Sequence, residues 1–183
     1  MPKSSRDGKQ AIIEWLQRMS DVKTVLDIGA GKGTYKRLCD GFIVYKEIPP
    51  LTPILQDAEW TAVEVWQPYI EEYELNHLYD NVINEDVRNF QKTLGEYDLA
   101  FAGDVLEHMT KEDAVRLVKT LTKKCKVLIV SIPIGYHPQG EHNDNPYEVH
   151  VKDDWTHQEF IGTFADIKKF SIDDDIGVYW IER

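Results

Sequence analysis

The sequence predicts an α/β fold: a doubly wound, mostly parallel sheet of seven strands that closes with an antiparallel C-terminal hairpin. Three observations carry this expectation. Apolar runs of strand length alternate with stretches of helical periodicity, a cluster of glycines directly follows the first run, and 183 residues at 42% hydrophobic content suffice for one buried core. No internal repeat, low-complexity tract or Ser/Gly/Pro linker divides the chain, so residues 1–183 read as a single domain. Its irregular parts are a polar tail at 1–9, an inserted excursion at 41–60 that holds Pro49, Pro50 and Pro53, and a long loop at 135–155.

Ile12, Ile13, Leu16 and Met19 recur at helical spacing and predict an amphipathic helix, placed to lie over a ligand pocket. Lys23 to Ile28 reads as a strand, Gly29-Ala-Gly-Lys-Gly33 as a turn, and Thr34 to Cys39 as the helix that follows. Further strands are expected at Thr61 to Trp66, Asn81 to Asn84, Tyr97 to Ala102 and Lys126 to Ile132, with the continuous apolar character of buried parallel strands. Thr110 with Asp113 forms a capping box, after which Ala114, Leu117, Val118 and Leu121 make one apolar helix face. A second box, Thr156 with Glu159, opens a short helix. Phe164 to Phe170 and Gly177 to Ile181 read as the closing hairpin, joined by the acidic turn Asp173 to Asp175.

Twenty-one basic against 32 acidic residues give a formal net charge of −11, which repels phosphate backbones and anionic membrane surfaces. No nucleic-acid or membrane partner is therefore expected. No stretch reaches ~18 consecutive apolar residues, and Met1 to Gln10 lacks the apolar centre of a signal peptide, so the expected compartment is the cytoplasm. Cys39 and Cys125 are too few for a disulfide framework and read as reduced, structural thiols. The basic residues Lys119, Lys123, Lys124 and Lys126 read as the solvated face and exit of one helix.

In an open α/β sheet, ligands bind at the carboxyl ends of the strands, so the residues that follow strands matter most. Gly29, Gly31 and Gly33 make G-x-G-x-G after the first strand, a turn in which missing side chains let the backbone approach a ligand. The spacing is that of neither the dinucleotide nor the nucleotide-phosphate motif.

Val25-Leu-Asp-Ile-Gly-Ala-Gly-Lys-Gly-Thr34 resembles the first motif of class I S-adenosylmethionine-dependent methyltransferases, a Rossmann-like fold, and further family motifs recur in order over about residues 11 to 160. The resemblance implies S-adenosylmethionine as cofactor. Within Thr61-Ala-Val-Glu-Val-Trp66 it implies Glu64 as the acid that accepts both ribose hydroxyls, although Glu64 follows Gly31 at more than the ~20 positions of a compact unit. Val82-Ile-Asn-Glu-Asp-Val87 is similar to the third motif, which implies Asp86 as acceptor of the adenine amine and Val87 as a backbone contact. Tyr97-Asp-Leu-Ala-Phe-Ala-Gly-Asp-Val-Leu-Glu-His108 is similar to the fourth, which places Asp104 beside the methionine part and the methyl acceptor. Asp27, costly at the end of a buried strand unless paired, is expected to face the sulfonium and ammonium groups and the donors of the glycine turn. Glu107 and His108 read equally as a loop anchor or as catalytic groups.

The loop 135–155 is expected over the acceptor, with Tyr136, Tyr147 and Trp155 as aromatic walls. Its Asn-Pro-Tyr-Glu-x-His segment looks like one carried by some small bacterial and phage-type family members. His150 first and His137 second are the candidate general bases, each equally readable as a loop tether. A metal site from His137, His142, Asp144 and His150 matches no standard spacing, and none is expected. From His137 to Phe160 six acidic residues oppose Lys152 alone, which predicts a small, neutral or cationic acceptor. The function expected is methyl transfer to an oxygen or nitrogen of such a molecule. The alternatives are a non-catalytic S-adenosylmethionine-binding subunit or sensor and, against the glycine spacing, an NAD-dependent oxidoreductase.

Overall fold

The computed structural model describes residues 7–42, 53–90 and 94–182. Most of the polar tail and residues 43–52 of the excursion, Pro49 and Pro50 included, lie outside them. In chain order the elements are α1 (Lys9–Leu16), β1 (Thr24–Ile28), α2 (Thr34–Cys39), β2 (Glu59–Val63), α3 (Gln67–Glu72), α4 (Leu75–Leu78), β3 (Asn81–Ile83), α5 (Val87–Phe90), β4 (Tyr97–Gly103), α6 (Lys111–Lys124), β5 (Cys125–Pro133), α7 (His157–Thr163), β6 (Ile167–Asp173) and β7 (Ile176–Glu182).

The seven strands form one sheet in the order β3-β2-β1-β4-β5-β7-β6. β1 to β5 pair in parallel, and β7 runs antiparallel to both β5 and β6. The sheet therefore doubles back between β1 and β4, where the carboxyl ends of two neighbouring strands leave a crevice.

Alternation along the strands divides the core into two layers. Leu26 and Ile28 of β1, Ala100 and Ala102 of β4, and Leu128 and Val130 of β5 pack with Ala114, Leu117 and Leu121 of α6 and Phe160 of α7. Val25, Leu99, Phe101, Val127 and Ile129 face the other way, onto Ile12, Trp15 and Leu16 of α1, Tyr35 and Cys39 of α2, and Leu75 of α4. The helix α1 thus lies against the sheet and does not roof a pocket, because its three apolar anchors fill that second layer.

Thr110 caps α6 by accepting from the Asp113 N–H at 3.2 Å, and Lys123 and Lys124 sit in its last turn, where the helix dipole favours them. Thr156 caps α7 through the Glu159 N–H at 3.1 Å. At the amino end of the sheet, Asp98 accepts from the Lys23 N–H at 2.7 Å and the Thr24 N–H at 3.1 Å, and it pairs with Lys126. The three short helices between residues 67 and 90 have too little apolar periodicity to be read from sequence. The strand expected at Thr61 to Trp66 runs instead from Glu59 to Val63, fixed by its ladder from Thr24 to Ile28, and Glu64 becomes the first residue beyond it. Both cysteines are buried free thiols.

Candidate functional site

Where the sheet doubles back, a cavity of about 730 Å³ opens at the carboxyl ends of β1, β2 and β4. This size lies within the range of small-molecule sites. Its walls are the glycine turn, the start of α3, the β3 to α5 turn, residues 103–109, and the loop that follows β5.

The glycine turn is bound to its neighbours by backbone hydrogen bonds. The Gly29 N–H donates to the Val63 carbonyl at 2.8 Å, and the Gly33 N–H donates to that of Ala30 at 2.7 Å. Arg37 closes the turn from outside by donating to the carbonyls of Lys32 and Tyr73. Gly29 and Gly31 line the cavity; Gly33 does not. At Gly33, φ is +68° and an added Cβ would lie 2.3 Å from Leu78 Cδ2, so this glycine permits close packing of the turn on α4.

Glu64 is 5% exposed and lines the cavity. Its carboxylate accepts from the Gly31 N–H at 2.9 Å and the Trp66 N–H at 2.8 Å. Burial pushes its pKa above the ordinary carboxylate range, and these two donors oppose the shift. Each oxygen has one backbone donor and keeps a further acceptor position.

Asp86 and Val87 also line the cavity. Asp86 is engaged by Arg88, whose Nε lies 2.9 Å from both carboxylate oxygens and whose backbone N–H donates to Oδ1 at 2.9 Å. Burial alone would raise its pKa, but the guanidinium and backbone N–H of Arg88 hold it below the usual range. Asp104 lines the cavity with φ +56°, a left-handed conformation held by its N–H on the Ser131 carbonyl at 2.8 Å.

Asp27 departs from its expected place. It is 1% exposed but is not among the cavity-lining residues; Tyr79 Oη donates to it at 2.5 Å. Period-two alternation is the reason, since Ile28 points with Leu26 and Asp27 points with Val25 into the layer beneath α2. Burial lifts its carboxyl to about 7, with the Tyr79 bond opposing and the Glu64 charge adding to the rise.

Residues 135–155 fold back on themselves. The Gly135 N–H donates to Trp155, the His137 N–H to Asp153, and the His150 N–H to Gln139, all to carbonyls. Gln139 Nε2 donates to the Glu148 carbonyl at 2.6 Å, and Tyr69 of α3 ties the loop across the cavity by donating to Glu148 Oε1 at 2.9 Å. Tyr136 and Tyr147 line the cavity as expected, with Tyr147 6.2 Å from Trp66 between ring centres. Trp155 does not. It is 1% exposed and packs on Phe160 and Phe164 in the core, because the loop re-enters the protein there to start α7.

His137 and His150 both reach the cavity, whereas His142 and Asp144 do not line it. One ring nitrogen of His137 lies 3.2 Å from the Ile134 carbonyl and 3.5 Å from Asp175, which aims it at the β6 to β7 turn. His150 Nδ1 faces the His137 carbonyl, and its ring meets that of His108 edge to face at 4.9 Å. His108 Nδ1 lies 3.2 Å from the Val149 carbonyl. Burial and the neighbouring His150 lower the His108 pKa. Beside them Glu107, 2% exposed, has no hydrogen-bond partner among the described residues on either carboxylate oxygen. Its backbone carbonyl accepts from the N–H groups of Val151 and Lys152, so it anchors the loop through its main chain while its side chain faces the cavity.

Sequence reasoning missed Arg88, Tyr69 and Glu148 as site residues. Arg88 carried the one available signal, a cation two positions after an acid expected to bind ligand. Among the described residues that line the cavity, nine carboxylates accompany Lys32 and Arg88 as the basic side chains. The field inside favours positive charge.

No protein-family model and no curated protein sequence matches the chain. Solved structures do, with one shared architecture. TehB from Haemophilus influenzae aligns with a TM-score of 0.66 at 12% identity, over 95% of this chain and 62% of its own. The N-terminal domain of EvdMO1, solved with S-adenosylhomocysteine bound, aligns at 0.63 and 12% identity over 98% and 82%. The mitomycin 7-O-methyltransferase MmcR aligns at 0.60 and 18% identity over 88% of this chain, which spans about half (49%) of that enzyme's length. The fold is that of the class I S-adenosylmethionine-dependent methyltransferases.

Proposed function

We propose that the chain is an S-adenosylmethionine-dependent methyltransferase acting on an oxygen or nitrogen of a small, neutral or cationic acceptor. One observation carries the reading. The glycine turn, Glu64 and Asp86, far apart in sequence, converge on a single acid-lined cavity that the loop 135–155 also lines.

The donor set suits the cofactor. The free acceptor positions of Glu64 fit the two ribose hydroxyls, Asp86 with the Val87 backbone fits the adenine edge, and the carboxylate-rich interior fits a sulfonium and an ammonium group. S-adenosylmethionine supplies an electrophilic methyl group when bound. The work of the chain is alignment and exclusion of water, to which Tyr136 and Tyr147 contribute by lining the cavity. Asp104, fixed in its left-handed turn, lines the same cavity. Where the acceptor must lose a proton, His150 is the better placed imidazole, because His137 is turned toward Ile134 and Asp175.

The acidic lining supports a neutral or cationic acceptor over a polyanion. MmcR is by its name an O-methyltransferase, which is consistent with an oxygen acceptor without requiring one.

Calorimetry with S-adenosylmethionine, S-adenosylhomocysteine and NAD tests the cofactor: the first two should bind and NAD should not. Binding of NAD alone overturns the reading. A labelled-methyl assay over cell extracts then tests turnover, and tight binding with no labelled product from any extract points to a non-catalytic binder.

A further inference from the structure

Glu107 presents a problem that methyl transfer alone does not resolve. Its carboxylate is buried, lacks a hydrogen-bond partner on either oxygen among the described residues, and stands in a cavity already rich in negative charge. A buried carboxylate is tolerated when it is neutral, paired or bound to a metal. Two imidazoles adjoin it, and ligating atoms of Glu107, His108 and His150 all lie within 4.8 Å of one another.

The imidazoles are already oriented. The Nδ1 of His108 lies against the Val149 carbonyl and the Nδ1 of His150 against the His137 carbonyl. A backbone oxygen at Nδ1 fixes the proton there and leaves Nε2 as the basic nitrogen, the arrangement that metal-binding histidines use. Two separate carbonyls, from two points of the loop 135–155, impose the same tautomer on both rings.

We propose that Glu107, His108 and His150 form a site for one first-row divalent cation, of the Zn²⁺, Co²⁺ and Mn²⁺ class, on the acceptor side of the cavity. Two nitrogens and one carboxylate favour these ions over Mg²⁺ or Ca²⁺, which prefer oxygen. Three protein ligands leave open positions toward the cavity, where Asp104 adds negative charge. An acceptor hydroxyl at an open position loses its proton to solvent more easily. Its oxygen lone pair then forms the new bond to the methyl carbon, and the carbon–sulfur bond breaks with its electron pair returning to sulfur. His150 acts in this scheme as a ligand and not as a free base. The cation's role in transfer rests on the methyltransferase reading; its binding does not. This set differs from His137, His142, Asp144 and His150, of which His142 and Asp144 do not line the cavity.

The full chain, stripped with chelator, is titrated with Co²⁺ and followed by visible absorption, then with Zn²⁺ by calorimetry, with S-adenosylhomocysteine binding measured on the same samples. One equivalent should bind, weakened at least tenfold in Glu107→Gln, His108→Ala and His150→Ala and unchanged in His142→Ala. The near-isosteric Glu107→Gln keeps the test valid if an alanine variant unfolds, and it should retain S-adenosylhomocysteine binding. Metal binding that survives all three substitutions, or is lost in Asp174→Ala at the acidic β6 to β7 turn, overturns the proposal. So does the absence of metal binding in a chain that binds S-adenosylhomocysteine. Metal binding with no S-adenosylhomocysteine binding supports the site and overturns the methyltransferase reading instead.

Discussion

The backbone N–H of Gly31 donates to Oε2 of Glu64 at 2.9 Å across 33 positions of sequence. This bond joins the turn after β1 to the first residue beyond β2 and aims the carboxylate before any ligand arrives. The long spacing that set this chain apart from a compact unit is therefore absorbed upstream of β2.

Glu64→Ala removes the proposed ribose acceptor and also leaves the Gly31 and Trp66 N–H groups without their partner. S-adenosylhomocysteine affinity should fall about 100-fold, or about 2.7 kcal/mol, as expected for loss of charge-assisted hydrogen bonds. Calorimetry checks this. An unchanged affinity in folded Glu64→Ala would place the ribose elsewhere.

Asp27 makes stability depend on pH in a direction unusual for an acid. Burial, followed by the smaller opposing effect of Tyr79, puts its folded pKa at about 7, above the unfolded value of ~3.9. Between these values the folded state binds more protons. The contribution of Asp27 is full below the unfolded value and is lost as pH rises toward 7, at up to about 1.4 kcal/mol per pH unit. Asp27→Asn keeps an oxygen for the Tyr79 hydroxyl and removes the titration. Denaturant melts at pH 5.5 to 8.5 should show the variant gaining on the parent as pH rises to about 7 and the difference levelling off above it.

Gly33→Ala meets both a left-handed backbone and Leu78 Cδ2 at 2.3 Å, so it should lower stability by about 1–3 kcal/mol. Gly140→Ala is the control, with no atom within 4 Å of the new Cβ and no positive φ. Thermal melts of the two variants separate a packing glycine from a tolerant one.

Tyr69→Phe deletes the bond from α3 to Glu148, which ties the loop 135–155 to that helix. At about 1 kcal/mol for one hydrogen bond, hydrogen exchange at residues 145–150 should quicken about fivefold. Acceptor KM should rise while S-adenosylhomocysteine affinity is kept. Equal loss of both would mean that the contact supports the whole site.

Elements whose signal is local were legible in the sequence. The glycine turn ends a strand wherever it is placed, and the boxes at Thr110 and Thr156 cap their helices within one turn. The seven strands were recoverable, although two were displaced: the second because its ends are set by pairing with β1, and the sixth, expected at Phe164 to Phe170, because Phe164 ends α7 in the core and pairing with β7 runs from Ile167 to Asp173. The short helices α3 to α5 gave no periodic signal and went unread.

Residues whose role depends on direction were not legible. Asp27 and Gly33 belong to the same motif as Gly29 and Gly31, yet one points beneath α2 and the other packs on Leu78. Trp155 reads as part of the loop but is swallowed by the core. Arg88, two positions after Asp86, takes hold of its carboxylate.

The sequence by itself determined the α/β class, the chain order of its strands, the glycine turn and the acidic character of the segment 137–160, since each follows from periodicity, local backbone chemistry or composition. Only the tertiary structure decided which acids face the cavity and that Glu107, His108 and His150 meet there. Side-chain direction is fixed by strand register and helix packing, and contacts between distant segments arise only when the sheet and the loop 135–155 fold together.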